Sequence, residues 1–257
     1  MFATPAGLKP PPAFFWPKIS PPEAPALSTG ARLAYDSAMS HITLIRHGQA
    51  QTHATDEAGY DSLSDLGRTQ AAWLGEHLRD TGQEFTRVFS GTQIRHQQTA
   101  SAMGATDWAE TIQDPRLNEV AYFDLSQRMH EQFGIAQPTC REEFITHLPL
   151  VFTAWQDGRI EGAPESFHDF QTRVDAVLHE IAAGDGRALV VTSGGLIGMA
   201  IRVAMGLELG AYARLCLSIL NTSVHQLHPI GAGLTLTRFN AIPHLERRDR
   251  LAAQTYI

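Results

Sequence analysis

Cysteine is nearly missing from this chain. Only Cys140 and Cys216 occur in 257 residues, too few for a disulfide framework and not spaced as zinc ligands are. Basic charge is also in deficit: 20 Lys and Arg stand against 27 Asp and Glu, a formal net charge of −7. A nucleic-acid-binding domain carries a basic face, and none is visible, so nucleic acid is not an expected partner. A local basic pocket for a small anion is compatible with that net charge. No apolar run approaches the roughly 20 residues of a membrane helix, so no membrane partner is expected. The N-terminus lacks the charged region and unbroken apolar core of a secretory signal, which leaves the cytoplasm as the default location. No cluster of His, Cys, Asp and Glu has metal-ligand spacing, and no metal or other cofactor is expected.

Proline, by contrast, is crowded into the first 38 residues, which include Pro10, Pro11, Pro12, Pro17, Pro21, Pro22 and Pro25. Such a segment cannot form a helix or central strand and is expected to be a disordered extension. Its "PPPAF" run has the form of a polyproline II ligand that could recruit a partner. "MSHITLIRHG" opens directly on the first strand, which also makes Met39 an alternative start. The expected globular domain is residues 39–257, 43% of the whole chain being hydrophobic and 18% charged, enough for one substantial core.

From residue 41 the pattern alternates. "HITLI" reads as a buried strand. Residues 64–81 read as a helix with Ser64 as N-cap and Leu66, Leu74 and Leu78 at helical spacing. "TRVFS" (86–90) is a second strand, followed by a helix over 92–103. Residues 122–163 are irregular in pattern and are expected to be an insertion covering a site. Phe167, Phe170, Val174, Val177, Leu178 and Ile181 mark an amphipathic helix. "RALVVTS" is the most hydrophobic strand and is placed centrally. "TSVHQLH" and "LTLTRFN" form a late hairpin around "PIGAG". This alternation predicts an α/β fold, a three-layer α/β/α sandwich around a mostly parallel sheet. Ligands of such sheets bind beyond the carboxyl ends of the strands.

That position gives weight to otherwise weak motifs. The first strand runs into "RHGQA": Arg46 offers a forked donor for phosphate, His47 can face an anion, and Gly48 allows close backbone approach. After the second strand, "SGTQIRHQQTA" places Arg95 one turn into a helix, from which it can reach the same mouth. "RLNEV" puts Glu119 in a loop, where a carboxylate is either solvated or a proton donor near an anion. Asp56, Glu57 and Asp61 form an acidic loop near the site, which could repel highly anionic substrates but is more readily read as solvated.

The ordered series "LIRHGQA", "LSDLGRTQA", "VFSGTQIRHQQTA", "RLNEV", "PESFHDFQTRV", "LVVTSGG" and "NTSVHQL" resembles the histidine phosphatase superfamily, also called the phosphoglycerate mutase-like family. The resemblance runs over about residues 40–240. It implies that His47 attacks phosphorus and becomes a phosphohistidine. It further implies that Arg46 and Arg95 bind phosphoryl oxygens and that Glu119 protonates the leaving group and then activates water. Two arginines around an in-line displacement supply the positioning and charge stabilisation that phosphoryl transfer needs. Gln49 is implied to touch substrate. Glu165 either supports the mouth by orienting an arginine or merely opens the next helix.

One position departs from the family. Where relatives have Ser-His-Gly-Gly after the central strand, this chain has Thr192, Ser193, Gly194 and Gly195, so Ser193 replaces the second catalytic histidine. Ser193 and Gly194 can still contribute hydrogen-bond donors to an anion at the helix start. Losing a charged donor costs about 1.5–3 kcal/mol, or about 10- to 100-fold in rate if felt wholly in the transition state. His225, His244 and His96 are candidates to compensate. Each is more readily structural, and His244 is preferred because its loop can fold back over the site. "TSGGL" is not a hydrolase nucleophile elbow, so Ser193 is not read as a nucleophile.

The expected function is therefore a metal-independent phosphomonoester hydrolase acting on a small phosphorylated substrate. The alternative is an impaired relative that binds a phosphorylated ligand. Retention of Arg46, His47, Arg95 and Glu119 favours the enzyme, and Ser193 favours the binder. A mutase is a poorer reading, because residues 122–163 are not notably basic.

Overall fold

The structure is a computed structural model that describes residues 41–51, 54 and 56–256. The proline-rich extension and the alternative start at Met39 lie outside the described residues. Six strands form one sheet in the order β3-β2-β4-β1-β5-β6. They are β1 (His41–Arg46), β2 (Arg87–Ser90), β3 (Thr111–Gln113), β4 (Arg187–Thr192), β5 (Val224–Ile230) and β6 (Gly233–Ala241). The pairs β3/β2, β2/β4 and β4/β1 are parallel, while β5 runs antiparallel to β1 and to β6. The late hairpin is β5–β6.

Alternation along the strands divides the core into two layers. Ile42, Leu44, Ala188, Val190 and Leu227 face one cluster; Ile45, Val88, Leu189, Val191 and Val224 face the other. The second cluster is closed by Ala71, Leu74 and Leu78 of α1 (Asp65–Asp80) and by Ala100 of α2 (Ile94–Ala102). Ser64 caps α1 as expected, its hydroxyl accepting from the Gly67 amide at 3.0 Å. The first cluster is closed by α3 (Tyr122–Phe133), α4 (Arg141–Gln156), α5 (Phe167–Ala183), α6 (Gly194–Met205) and α7 (Leu209–Ser218). The result is the expected α/β/α sandwich.

Residues 122–163 differ from their irregular sequence pattern, since two helices occupy most of them. Gly134 ends α3 in the left-handed region at φ +67°. Helix α4 carries Pro149 in its interior and buries Leu148, Val151, Phe152, Ala154 and Trp155 in the main core. Cys140 and Cys216 are both free. Among the described residues no helix is long and apolar enough to cross a membrane.

The register of the parallel strands fixes where chemistry is presented. Arg46 pairs with Thr192, and Ser90 with Val191. Three adjacent strands therefore end almost level, and the chain steps off them at His47, Gly91 and Ser193. Backbone bonds lock the ends together: the His47 amide donates to the Thr192 carbonyl at 2.8 Å and the Gly91 amide to Val191 at 3.1 Å.

Candidate active site

His47 leaves β1 with its ring buried, 2% exposed. Its Nδ1 lies 2.7 Å from the carbonyl oxygen of Gly48. A carbonyl only accepts, so Nδ1 carries the proton and Nε2 keeps its lone pair. Burial first, then Arg95, Arg46 and His96, hold the His47 pKa well below its ordinary value of 6.5, which keeps the ring neutral. Its carbonyl accepts from Asn221 Nδ2 at 3.2 Å. It also accepts from the amide of Thr222, a non-glycine residue at φ +57°. A β-branched residue in that region stores about 1–3 kcal/mol of strain, and here it braces the turn that carries His47.

Two guanidinium groups flank this turn. Arg46 is held at NH1 by the carbonyls of Ile219 and Tyr256, the latter at 2.6 Å. Its Nε is buried with no hydrogen-bond partner and faces Gly194, where an added Cβ would stand 3.5 Å from it. Arg95 is 1% exposed and donates from NH1 to Asp61 Oδ1 at 3.0 Å. Asp61 also accepts from the amides of Ile94 and Arg95 at 2.9 and 3.2 Å, so it closes the first turn of α2. The Tyr60 ring lies under Arg95, 5.1 Å from its guanidinium carbon, and meets His47 edge-on at 6.3 Å. Phe123, at the start of α3, stands 5.8 Å from Tyr60. Residues 122–163 thus reach the mouth through their first aromatic side chains.

Glu119 lies across the start of α6. Its Oε2 accepts from the Gly195 amide at 2.9 Å and its Oε1 from Leu196 at 3.1 Å. A carboxylate on the unsatisfied amides of a helix N-terminus is a favourable arrangement. It requires glycine at 195, because a Cβ there would lie 2.3 Å from Glu119 Oε1. These two amides are therefore occupied by Glu119. The Glu119 loop is held from behind by Arg173, whose NH1 donates to the carbonyls of Arg116 and Asn118 at 2.6 and 3.0 Å. Thr192 Oγ1 adds a bond to the Leu117 carbonyl at 2.7 Å.

The fold brings Arg46, His47, Arg95, Glu119, Ser193 and Gly194 to one mouth. Glu165 stands further out as the bidentate partner of Arg173. Gln49 is used locally, its Oε1 accepting from the Ser64 hydroxyl at 2.8 Å. His244 Nε2 lies 2.8 Å from Thr222 Oγ1, and His225 Nε2 lies 2.9 Å from Ser223 Oγ. Neither ring is the one against His47. That histidine is His96, with ring centroids 5.8 Å apart and Nε2 at 2.6 Å from Ser193 Oγ. Sequence reasoning preferred His244 to His96 because the His244 loop can fold back over the site. It also missed Asp61 as the partner of Arg95. Asp61 stands 33 and 34 positions before the two α2 amides it accepts from, so neither this cap nor the ion pair is visible as a local sequence signal.

Among the described residues no group of three His, Cys, Asp or Glu side chains is placed to hold a metal ion.

Comparison with known proteins identifies the family and the fold. The family model described as histidine phosphatase superfamily, branch 1, matches residues 42–242. A protein of Erwinia tasmaniensis named as the probable phosphoglycerate mutase GpmB is 26% identical over 219 residues, spanning 81% of this chain and 96% of its own. A 2,3-bisphosphoglycerate-dependent phosphoglycerate mutase of Bartonella henselae is 28% identical over 169 residues, 60% of this chain and 82% of its own. Among solved structures, a mutant phosphoserine phosphatase from Entamoeba histolytica in complex with phosphoserine has the same fold. Its TM-score is 0.61 at 18% identity, and the match covers 80% of this chain and 100% of that one. With a family model covering most of its length, the chain belongs to the histidine phosphatase superfamily, branch 1.

Proposed function

We propose that the protein is a metal-independent phosphomonoester hydrolase that works through a phosphohistidine on His47. The observation that carries this is the seat of the His47 ring: Nδ1 on the Gly48 carbonyl at 2.7 Å leaves Nε2 as the free, neutral nucleophile. In the first half-reaction Nε2 attacks phosphorus, a P–N bond forms and the P–O bond to the leaving group breaks. Glu119 gives its proton to the departing oxygen. Water then attacks phosphorus opposite the histidine nitrogen, Glu119 takes the water proton, the P–N bond breaks and inorganic phosphate leaves. Arg46 and Arg95 balance the charge on the equatorial oxygens, and Ser193 and Gly194 border the same space.

Small phosphorylated metabolites are the substrate class, in keeping with the mutase and phosphatase names of the relatives. A mutase must retain a highly anionic intermediate. Helices α3 and α4 carry Arg128 and Arg141 against Asp124, Glu131, Glu142 and Glu143, which gives that border no basic excess and favours hydrolysis. A second reading is an impaired relative that binds a phosphorylated ligand, favoured by Ser193. The deciding test is phosphate release from a panel of small phosphomonoesters without added metal, wild type beside His47→Ala. Release that vanishes in the variant is the expected result. Equal, background release from both proteins on every compound overturns the hydrolase.

A further inference from the structure

Ser193 and His96 form a buried pair that the hydrolase reading alone does not use. Both are 0% exposed, and they come from different elements, the end of β4 and the first turn of α2. The contact between Ser193 Oγ and His96 Nε2 is 2.6 Å, short for a neutral pair. Room for the imidazole is provided by Gly91, since a Cβ at that position would lie 2.2 Å from His96 Nδ1. Three residues thus fit one another: Gly91 steps off β2, His96 swings in behind it, and Ser193 meets the ring.

The direction of this hydrogen bond follows from the other ring nitrogen. His96 Nδ1 is buried and has no hydrogen-bond partner. A buried N–H without an acceptor is costlier and rarer than a buried lone pair without a donor. The proton therefore resides on Nε2 and is donated to Ser193 Oγ. That leaves the serine hydroxyl hydrogen free to be donated onward. Ser193 is the residue after Thr192, and His47 the residue after its strand partner Arg46, so the hydroxyl and the His47 ring emerge side by side from adjacent strands.

We propose that His96 is a positioning residue that acts through Ser193, the His96 Nε2–H fixing and polarising the serine so that its O–H is aimed at the phosphoryl group on His47. This inference rests on the phosphoryl-transfer reading above. The imidazole stands one residue behind the anion rather than against it. Hydrogen bonds in series polarise one another in a low-dielectric site. The pair then supplies a donor stronger than an isolated serine, from two residues distant in sequence.

The test is a double-mutant cycle on the full chain with two readouts: kcat and KM on a responsive phosphomonoester, and orthovanadate affinity by calorimetry. His96→Ala and Ser193→Ala are each expected to lower kcat about tenfold or more with KM within about threefold, and to weaken orthovanadate severalfold. The double variant is expected to be no worse than the poorer single one. His96→Gln, whose amide can donate to the serine, is expected to recover most of the loss and guards against a packing defect. Ser193→His combined with His96→Ala returns an imidazole to the mouth and is expected to restore kcat. Single variants within twofold of wild type, or losses that multiply in the double variant, overturn the proposal. Should wild type and His47→Ala be equally inactive, the hydrolase reading fails by itself, and the orthovanadate cycle still decides the pair.

Discussion

Glu165 grips Arg173 at both ends of its carboxylate, Nε to Oε1 at 2.7 Å and NH2 to Oε2 at 3.0 Å. The remaining guanidinium nitrogen holds the backbone on either side of Leu117, just before Glu119. Glu165 is therefore linked to the Glu119 loop through one arginine and two carbonyls. Bidentate carboxylate–arginine pairs have defined geometry, and loss of it lets the Glu119 loop drift. Glu165→Gln is expected to lower kcat about tenfold, equivalent to about 1.4 kcal/mol of barrier, while KM changes little. Steady-state kinetics beside a melting curve check this. A rise in KM with unchanged kcat would instead place Glu165 at the substrate.

Asp61 pairs with Arg95 at 3.0 Å, and an anion that takes up this guanidinium is expected to compete with it. Its oxygens also accept from two amides at the start of α2. Asp61→Asn keeps an acceptor but removes the charge. Inorganic phosphate is expected to inhibit this variant at a severalfold lower concentration than wild type. Stability should fall by about 1 kcal/mol through the weakened helix start. Unchanged phosphate inhibition would show that the carboxylate does not compete for Arg95.

The sandwich, the hairpin and the mouth were legible because local signals carried them: Ser64 before an apolar-periodic run, Val and Leu runs for β4, and Arg46-His47-Gly48 at a strand end. Helix α4 was not legible, since Pro149 reads as a breaker and its buried arc runs through His147, Leu148, Val151, Phe152, Ala154 and Trp155, too broad for a narrow stripe. The strand register that puts Ser193 beside His47 is a long-range property. So is the reach of His96 to a serine 97 positions away. Adjacent residues on a helix point in different directions, yet Arg95 and His96 both border the site because it wraps the start of α2.

Gly195 offers a separation of activity from stability. A methyl group there would lie 2.3 Å from Glu119 Oε1 and 3.1 Å from Val120 Cγ1. The carboxylate ends a side chain and can swing away. Alanine also gains up to about 1 kcal/mol of helix propensity over glycine, offsetting the lost cap. Gly195→Ala is expected to melt within a few degrees of wild type while losing about 100-fold or more in kcat, because Glu119 is displaced. Retained activity in a folded variant would remove Glu119 from the acid–base role.

Acid should destabilise the fold through its histidines. Burial, reinforced by Arg46, lowers the His225 pKa to about 3; burial, with His77 and Arg250, does the same to His244. His47 and His96 are lowered by burial first and by Arg95. In the unfolded chain each titrates near 6.5. Between that value and the lower folded pKa, the unfolded state binds more protons, so stability rises with pH across the window. The contribution is fully present above about pH 6.5 and is lost as pH falls toward the folded values, by about 1.4 kcal/mol per pH unit for each histidine that takes up its proton only on unfolding. Asp114, lowered by its hydrogen bond to Arg116, acts only below its ordinary 3.8 and does not contribute here. Calorimetric melting between pH 7.5 and 4.5 should therefore show a falling Tm. His244→Gln, which can still bond the Thr222 hydroxyl, should show a shallower fall. A Tm that stays level from pH 7 to 5 would mean that these rings take up protons in the folded protein as they do in the unfolded chain.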